Sequence, residues 1–480
     1  MWTYIQPFFG ELILALVASQ LMLLFGLSKK EGRPSTIRYI AIVALLAFAA
    51  SGFITDPNLT SAFKGAFVQD DFSRYVKAIL GIAGAAALLM ARSYLKSERL
   101  DQYEFSLLTV YAVLGMGIMV SSRDLLGLYI GIELQSLALY VMAAFNRDSL
   151  RASEAGMKYF VLGALSSGLL LYGASLIYGF SGSLRFDEIA QAVGSHPTGG
   201  MVAGMVFLLC GLAFKISAAP FHMWTPDVYE GAPTPVTAFF AGAPKLAALA
   251  LIARVLHEPF GGITELWQQA TIVLALLSMI VGVFGGLMQT NIKRLMAYSS
   301  IANMGYALVA LSAGTQLGVT NMLIFMTIYT VTVIGVFASI LQMRIRDGMV
   351  EKITDLSGLS KTNSGLALVL TLLMLSLIGI PPLMGFWGKW FAFGAAMEAG
   401  LTWLVVVGLV ASVVGAFYYL RIIRLMWFAE PTREFVDAPR SLSLIGIIAT
   451  ALIFPIMFLP FVSAPGMKII SKAAASLFAG

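Results

Sequence analysis

Four charged residues stand where the sequence offers them no water. Glu133 lies within "LLGLYIGIELQSLALYVMAAF" and Lys215 directly follows "GMVAGMVFLLCGLAF". Lys245 is inside "FFAGAPKLAALALIARV", and Lys389 inside "SLIGIPPLMGFWGKWFAFGAA". A charge at the centre of a bilayer costs about 2.5–3.5 kcal/mol on insertion scales. The usual escape is to snorkel the charged head to the interface. Lys245 sits roughly 15 Å from either end of its apolar run, too deep for that, and the Glu133 side chain is too short. Lys389 is nearer the end of its run, so snorkelling stays open there, and Lys215 lies between these cases. Lysine is the cation whose proton affinity moves readily on burial. A carboxylate near such amines makes a set of proton-loading sites, each dependent on the others. Arginine stays protonated and is not among the four, which favours protons over an anionic solute held by arginine clamps.

Prolines break the helices that carry two of these lysines. Pro220 removes the amide that would bond the carbonyl of Ile216, next to Lys215, and Pro381 and Pro382 do the same in the run that carries Lys389. Freed carbonyls inside a membrane are tolerated only where protein or water satisfies them. His222 follows Pro220; it is either an interfacial group or a proton relay of near-neutral affinity. Ser166, Ser167 and the stretch "MAYSSIANMGY" after Lys293 and Arg294 offer hydroxyls for a water path, though small polar residues also serve helix packing. Lys158, four residues after Glu154, reads as a surface pair of small energetic worth.

The elements that position these groups follow from composition. Hydrophobic residues make up 59% of the 480-residue chain and charged ones 12%; soluble domains hold roughly 45–50% and about 25%. Runs long enough to cross a bilayer recur from end to end, and runs of this length do not suit barrel strands. The expected fold is an all-α polytopic membrane protein of about fourteen transmembrane helices. The spans fall near 8–27, 38–55, 74–94, 104–121, 125–145, 155–180, 201–222, 235–256, 267–289, 296–313, 318–342, 364–394, 400–427 and 441–463. The first run lacks a small-residue cleavage site and reads as a retained helix. No linker separates soluble domains, so residues 1–480 form one membrane unit. A single cysteine, Cys210, excludes internal disulfides and thiolate-held clusters, and the histidines lack metal-ligand spacing. No phosphate-binding glycine loop follows a strand, so neither a cofactor nor a metal is expected on this chain.

The loops after odd-numbered spans hold most of the 31 Lys and Arg. That bias puts both termini outside, in the periplasm of a bacterial inner membrane. The net charge of +6 is thus a topology signal and no sign of nucleic acid. Spans seven and twelve, each proline-broken and lysine-bearing, lie five apart and run in opposite directions, as inverted repeats require. The lysine precedes the break in span seven and follows it in span twelve.

"FKISAAPFHMWTPDVYEGAPTPVTAFFAGAPK" resembles the signature of the antiporter-like membrane subunits of respiratory complex I, the proton-translocating NADH:quinone oxidoreductase, and of the related multisubunit cation/proton antiporters. "IKRLMAYSSIANMGY", "GIPPLMGFWGKWFAF" and "YIGIELQSLALYVMAAF" are similar to three more of its blocks, so the likeness covers roughly residues 120–395. The fourteen-span length and the lysine of span twelve resemble the N type within that family most closely. The resemblance implies two inverted five-helix repeats, 104–256 and 267–427, with discontinuous helices seven and twelve; 1–103 and 428–480 supply flanking helices. It implies that Glu133 and Lys215 form a coupled pair, that Lys245 is the central connecting lysine, and that Lys389 serves the second half-channel. It implies that NADH, FMN, iron–sulfur clusters and quinone belong to partner subunits, and that this chain packs against sister antiporter-like subunits in the lipid bilayer. The alternative within the family is a subunit of a Na+/H+ antiporter complex.

Overall fold

In a medium without water every backbone amide must be satisfied within its own segment, so the apolar runs fold as helices. A computed structural model of the chain describes residues 2–22, 33–56, 61–194, 197–346, 348–436, 439–454 and 460–478. His196, residues 23–27 of span one and residues 455–459 of span fourteen lie outside the described residues. Helix occupies part or all of each of the fourteen segments. Among the described residues nine helices are long and apolar enough to cross a membrane. The only strands described are two short hairpins, Ser61–Ala62 with Phe67–Val68 and Arg344–Ile345 with Gly348–Met349.

The helix starts follow their caps. Asp70, Asp124, Ser149, Thr198, Asn291, Thr315 and Asn363 each accept a hydrogen bond from an amide of the first turn. Spans one to four are Phe9–Leu16 with a π turn Val17–Met22, Arg33–Ile54, Asp71–Ser97 and Tyr103–Ser121. Spans five and six are Leu125–Ala143 and Leu150–Ser181. Nine, ten, eleven and thirteen are Thr264–Leu287, Ile292–Leu311, Gln316–Ile340 and Thr402–Phe428. Spans four and five close on each other at Gly115, where a Cβ would stand 2.5 Å from the amide of Gln135. Such small-residue approaches hold helices together where no hydrophobic difference between lipid and helix can do so.

Span seven is broken, as Pro220 predicts: Gly199–Lys215 ends at the lysine and Trp224–Gly231 resumes after the break. Span twelve is likewise Ser364–Ile378 and Met384–Glu398, the first half ending at Gly379 in the left-handed region (φ +90°). Both breaks contain a cis X–Pro bond, Ala219–Pro220 and Pro381–Pro382. Span eight is also interrupted, which the sequence reading missed. It comprises Thr234–Ala241 and Ala243–His257, parted at Gly242, where Pro244 offers no amide to the Phe240 carbonyl. Every residue from Ala243 to Leu256 is buried, so span eight is the central post. Span fourteen runs Arg440–Ile453, and helix continues at Pro460–Ser476, past the expected end at 463. Lys468 and Lys472 dilute the apolar signal of that last stretch, yet Ser476 and Lys472 tie it to Phe72 and Asp71 of span three.

Loop charges sort onto two faces. On one, the odd loops meet through Arg38–Asp101, Arg344–Glu98, Lys158–Asp227 and Lys293–Glu351. On the other, even loops meet through Arg123–Glu258, Arg254–Asp70 and the Arg185 guanidinium on the Lys64 carbonyl.

Candidate proton-transfer site

Lys215 is the last residue of the first half of span seven, and its Nζ donates to Ser136 Oγ at 2.7 Å. The ammonium lies 5.9 Å from the Tyr140 ring centroid and 5.7 Å from that of Phe214. Glu133 is one turn before Ser136 on span five and accepts from Ser167 Oγ of span six. Glu133 and Lys215 therefore meet the same helical turn without forming a direct ion pair. The break beside Lys215 is satisfied internally. Trp224 Nε1 donates to the Phe214 carbonyl at 3.0 Å, the Ala219 amide donates to Ser278 Oγ of span nine at 2.9 Å, and Thr225 Oγ1 donates to Ser217 Oγ at 2.7 Å. His222 sits in the break, half-buried, and bonds neither lysine.

Lys245 lies at the start of the second half of span eight, 1% exposed. Its Nζ donates to Ser300 Oγ of span ten, which also accepts from Tyr329 OH of span eleven at 2.8 Å. The Tyr229 ring centroid is 5.3 Å from the ammonium. One residue earlier on span ten, Ser299 shares a hydrogen bond with Tyr419 OH of span thirteen, and Asn303 Nδ2 donates to the Ser299 carbonyl at 2.8 Å. The serines of "MAYSSIANMGY" thus face the central lysine and span thirteen. Tyr229, Tyr329 and Tyr419 were invisible as site residues in the sequence, because a tyrosine in an apolar run reads as packing.

Lys389 does not snorkel. Its Nζ donates to the carbonyls of Leu377 and Ile378 at 3.0 and 2.9 Å and to Ser412 Oγ at 2.8 Å, which uses all three protons of an ammonium. Those carbonyls end the first half of span twelve, where the helix dipole is negative, so the lysine caps its own broken helix. The Tyr306 ring of span ten lies 4.7 Å from the ammonium. A cleft of about 770 Å³ between spans twelve and thirteen is lined by Lys389, Ser412, Trp390 and Phe393.

Lys158 stays in a surface network, pairing with Glu154 and Asp227 while Arg294 takes Asp227 and Glu230. Lys293 is buried, donating to the Ala232 carbonyl and to Glu351 of the 343–363 loop. Burial raises the Glu351 carboxyl, but the charge and hydrogen bond of Lys293, with Asn291 and Arg151, hold it below its ordinary value.

Two further cations, near the ends of spans three and eight, are buried although sequence spacing does not single them out. Lys77 pairs with Glu11 of span one at 2.6 Å. Arg254, 0% exposed, donates to both Asp70 oxygens, to Glu258 and to the Val120 carbonyl. Among the described residues no group of three or more His, Cys, Asp or Glu is placed to hold a metal ion.

Residues 122–415 match the family model described as NADH:quinone oxidoreductase/Mrp antiporter, TM. The chain is 54% identical over 450 residues to the NADH-quinone oxidoreductase subunit N of Maricaulis maris, covering 93% of this chain and 94% of that one. It is 50% identical over 473 residues to the subunit N of Parvibaculum lavamentivorans, covering 98% and 96%. Among solved structures it is similar to a chain of the Thermus thermophilus respiratory complex I with bound aureothin, at TM-score 0.81 and 33% identity over 95% of this chain and 99% of that chain. The fold is shared with a chain of the Mrp complex from Dietzia sp. DQ12-45-1b, at TM-score 0.87 and 20% identity over 100% and 98%. The chain belongs to the NADH:quinone oxidoreductase/Mrp antiporter transmembrane family, in the group of its subunit N relatives.

Proposed function

We propose that the chain moves protons through Glu133, Lys215, Lys245 and Lys389 as a non-redox membrane subunit of NADH:quinone oxidoreductase. The observation that carries this is the company the three lysines keep. Among the described residues Lys215, Lys245 and Lys389 are buried and bonded only to hydroxyls and carbonyls, with no carboxylate in ion-pair range. Lys77 and Lys293, by contrast, each hold a carboxylate. A permanently charged ammonium without a counter-ion is expensive in an apolar interior. A neutral amine beside a hydroxyl is not, so these three can gain and lose a proton at moderate cost.

In this reading Glu133 biases Lys215 through the shared turn of span five. Lys245 receives the proton by way of the central post, and span ten links it to the second half through Ser300, Ser299 and Tyr419. Lys389 takes it against the carbonyl end of its broken helix. Pro220, Pro381 and Pro382 free the carbonyls that make these sites polar. His222 stands in the first break as a relay, and Lys158 and Lys293 hold the odd-loop mouth. Residues 104–256 and 267–427 act as two inverted five-helix repeats, each with a lysine on its proline-broken helix, Lys215 and Lys389. Partner subunits supply NADH, FMN, iron–sulfur and quinone chemistry, sister antiporter-like subunits flank the chain, and both termini face the periplasm of a bacterial inner membrane.

The test is Lys245→Arg, which keeps the charge but cannot release the proton. The variant should assemble and pump poorly in vesicles driven by NADH oxidation. Wild-type pumping would make Lys245 a fixed charge and remove it from the path. A subunit of a Na+/H+ antiporter complex is the second reading, since the family model covers both; flavin and iron copurifying with the chain would decide against it.

A further inference from the structure

The flanking helices contain a second Glu–Lys pair that the four-residue row does not use. Lys77 Nζ of span three lies 2.6 Å from Glu11 Oε1 of span one, and both side chains are buried. The ammonium also donates to Gln69 Oε1 at 2.8 Å and lies 4.8 Å from the Phe67 ring centroid. Glu11 rests on Gly117 of span four, where a Cβ would stand 2.9 Å from Oε1, so the pair touches the first repeat. Among the described residues Glu11 Oε2 and Gln6 Oε1 are buried without a hydrogen-bond donor, and the amide Gln69 Nε2 is buried without an acceptor. Gln69 precedes Asp70, whose two oxygens each accept from Arg254 Nη2 at 2.9 Å. Arg254 holds Glu258, and Glu258 holds Arg123, whose side chain is 31% exposed on the even-loop face.

We propose that Glu11 and Lys77 form a further proton-loading site, communicating with the even-loop face along Gln69, Asp70, Arg254 and Glu258. It rests on the proton-translocation reading above. At rest the pair is a carboxylate beside an ammonium. Loading adds one proton, arriving from the first repeat that Glu11 touches at Gly117, to Glu11 Oε2 and leaves a neutral carboxyl beside the ammonium. Release returns that proton to water at the even-loop face. Lys77 keeps its own proton throughout, and Arg254, which does not titrate, holds Asp70 and Glu258 in place. A purely structural pair would gain from satisfying both carboxylate oxygens, and replacing a buried ion pair by apolar side chains is often neutral or stabilising. The open oxygen, on a carboxylate whose lysine also holds the half-paired amide of Gln69, is the feature a loading site needs.

The test uses the intact complex in vesicles, with two readouts: protons taken up per NADH oxidised, and the turnover-induced infrared difference spectrum in the carbonyl region of protonated carboxyls. Glu11→Gln should lower the proton ratio and lose one carboxyl band. Glu11→Asp should keep part of the ratio and shift that band. An assembled Glu11→Gln complex with the wild-type ratio and spectrum overturns the proposal. Should Glu11→Gln fail to assemble, Glu11→Asp decides, and an unshifted spectrum there overturns it equally. Lys245→Ala separates the two levels. If it pumps as wild type, the translocation reading fails; if it is impaired while Glu11 variants are silent, only the flanking site fails.

Discussion

Ser300→Ala isolates what the central lysine needs. Ser300 Oγ is the only hydrogen-bond acceptor that Lys245 Nζ reaches among the described residues, and the lysine is 1% exposed, so solvent does not substitute. A hydrogen bond to a charged group contributes about 1.5–3 kcal/mol. At about 1.4 kcal/mol per decade, its removal lowers the loaded population of Lys245 by roughly 10- to 150-fold. Where passage through Lys245 limits pumping, the rate of proton uptake falls toward that factor while the amount of assembled complex holds. Tyr329→Phe is the internal control. It removes a second donor to Ser300 but leaves the acceptor for the lysine, so its effect should be well under that of Ser300→Ala. The assay is NADH-driven acidification of vesicles, normalised to complex. Wild-type pumping by Ser300→Ala, or equal damage from Tyr329→Phe, would refute the reasoning.

Three further outcomes are expected. Glu133→Gln with Lys215→Ala should pump within roughly twofold of the worse single variant, because both act on one turn of span five; losses that multiply would make them independent sites. Cysteines placed at Gln191 and Thr362 should label from opposite sides, since these residues lie in an even and an odd loop; Ser195, outside the described residues, marks the same even loop. Glu351 is held below its ordinary value of 4.5, so its pairing with Lys293 contributes stability above that pH and loses it as pH falls through the lowered value. Pepsin should cut the 343–363 loop faster as the pH drops below 4.5, and Glu351→Gln should remove most of that dependence.

Depth was legible where a run was long and the charge central. Lys245 and Glu133 could be assigned to the interior from sequence spacing alone, and Pro220 and Pro381 placed two breaks. The break in span eight was not read, although Gly242 and Pro244 signal it, because the run on both sides stays apolar and no hydropathy dip marks the interruption. The tyrosines around Lys245 and Lys389 went unread because ring packing and hydroxyl donation look alike in sequence. Lys77 and Arg254 lie near the ends of their apolar runs, so spacing does not single them out. A charge six residues into span three lies within snorkelling reach, and only the tertiary fold shows that Glu11 and Asp70 meet these cations first.

Those two sets of buried cations obey different physics. Arg254 is held by Asp70 and Glu258 and Lys293 by Glu351, and removing a partner would strand a charge, which costs about 3–5 kcal/mol for a buried pair. Such groups hold loops and helix ends to one geometry. Among the described residues Lys215, Lys245 and Lys389 have only neutral partners, so in the proposed function their protonated and neutral forms lie closer in free energy, and modest shifts of a nearby carboxylate or helix end would favour either. Each of the three also sits within a few residues of a helix break. At Lys389 the break exposes the Leu377 and Ile378 carbonyls that hold the ammonium, whereas Lys215 and Lys245 meet hydroxyls of a neighbouring span, so small movements of a half-helix change which of these partners each lysine reaches. Under the proposed translocation, proton affinity would thereby be tied to helix geometry, and a conformational change arriving from a partner subunit would have a direct means of loading or emptying each site.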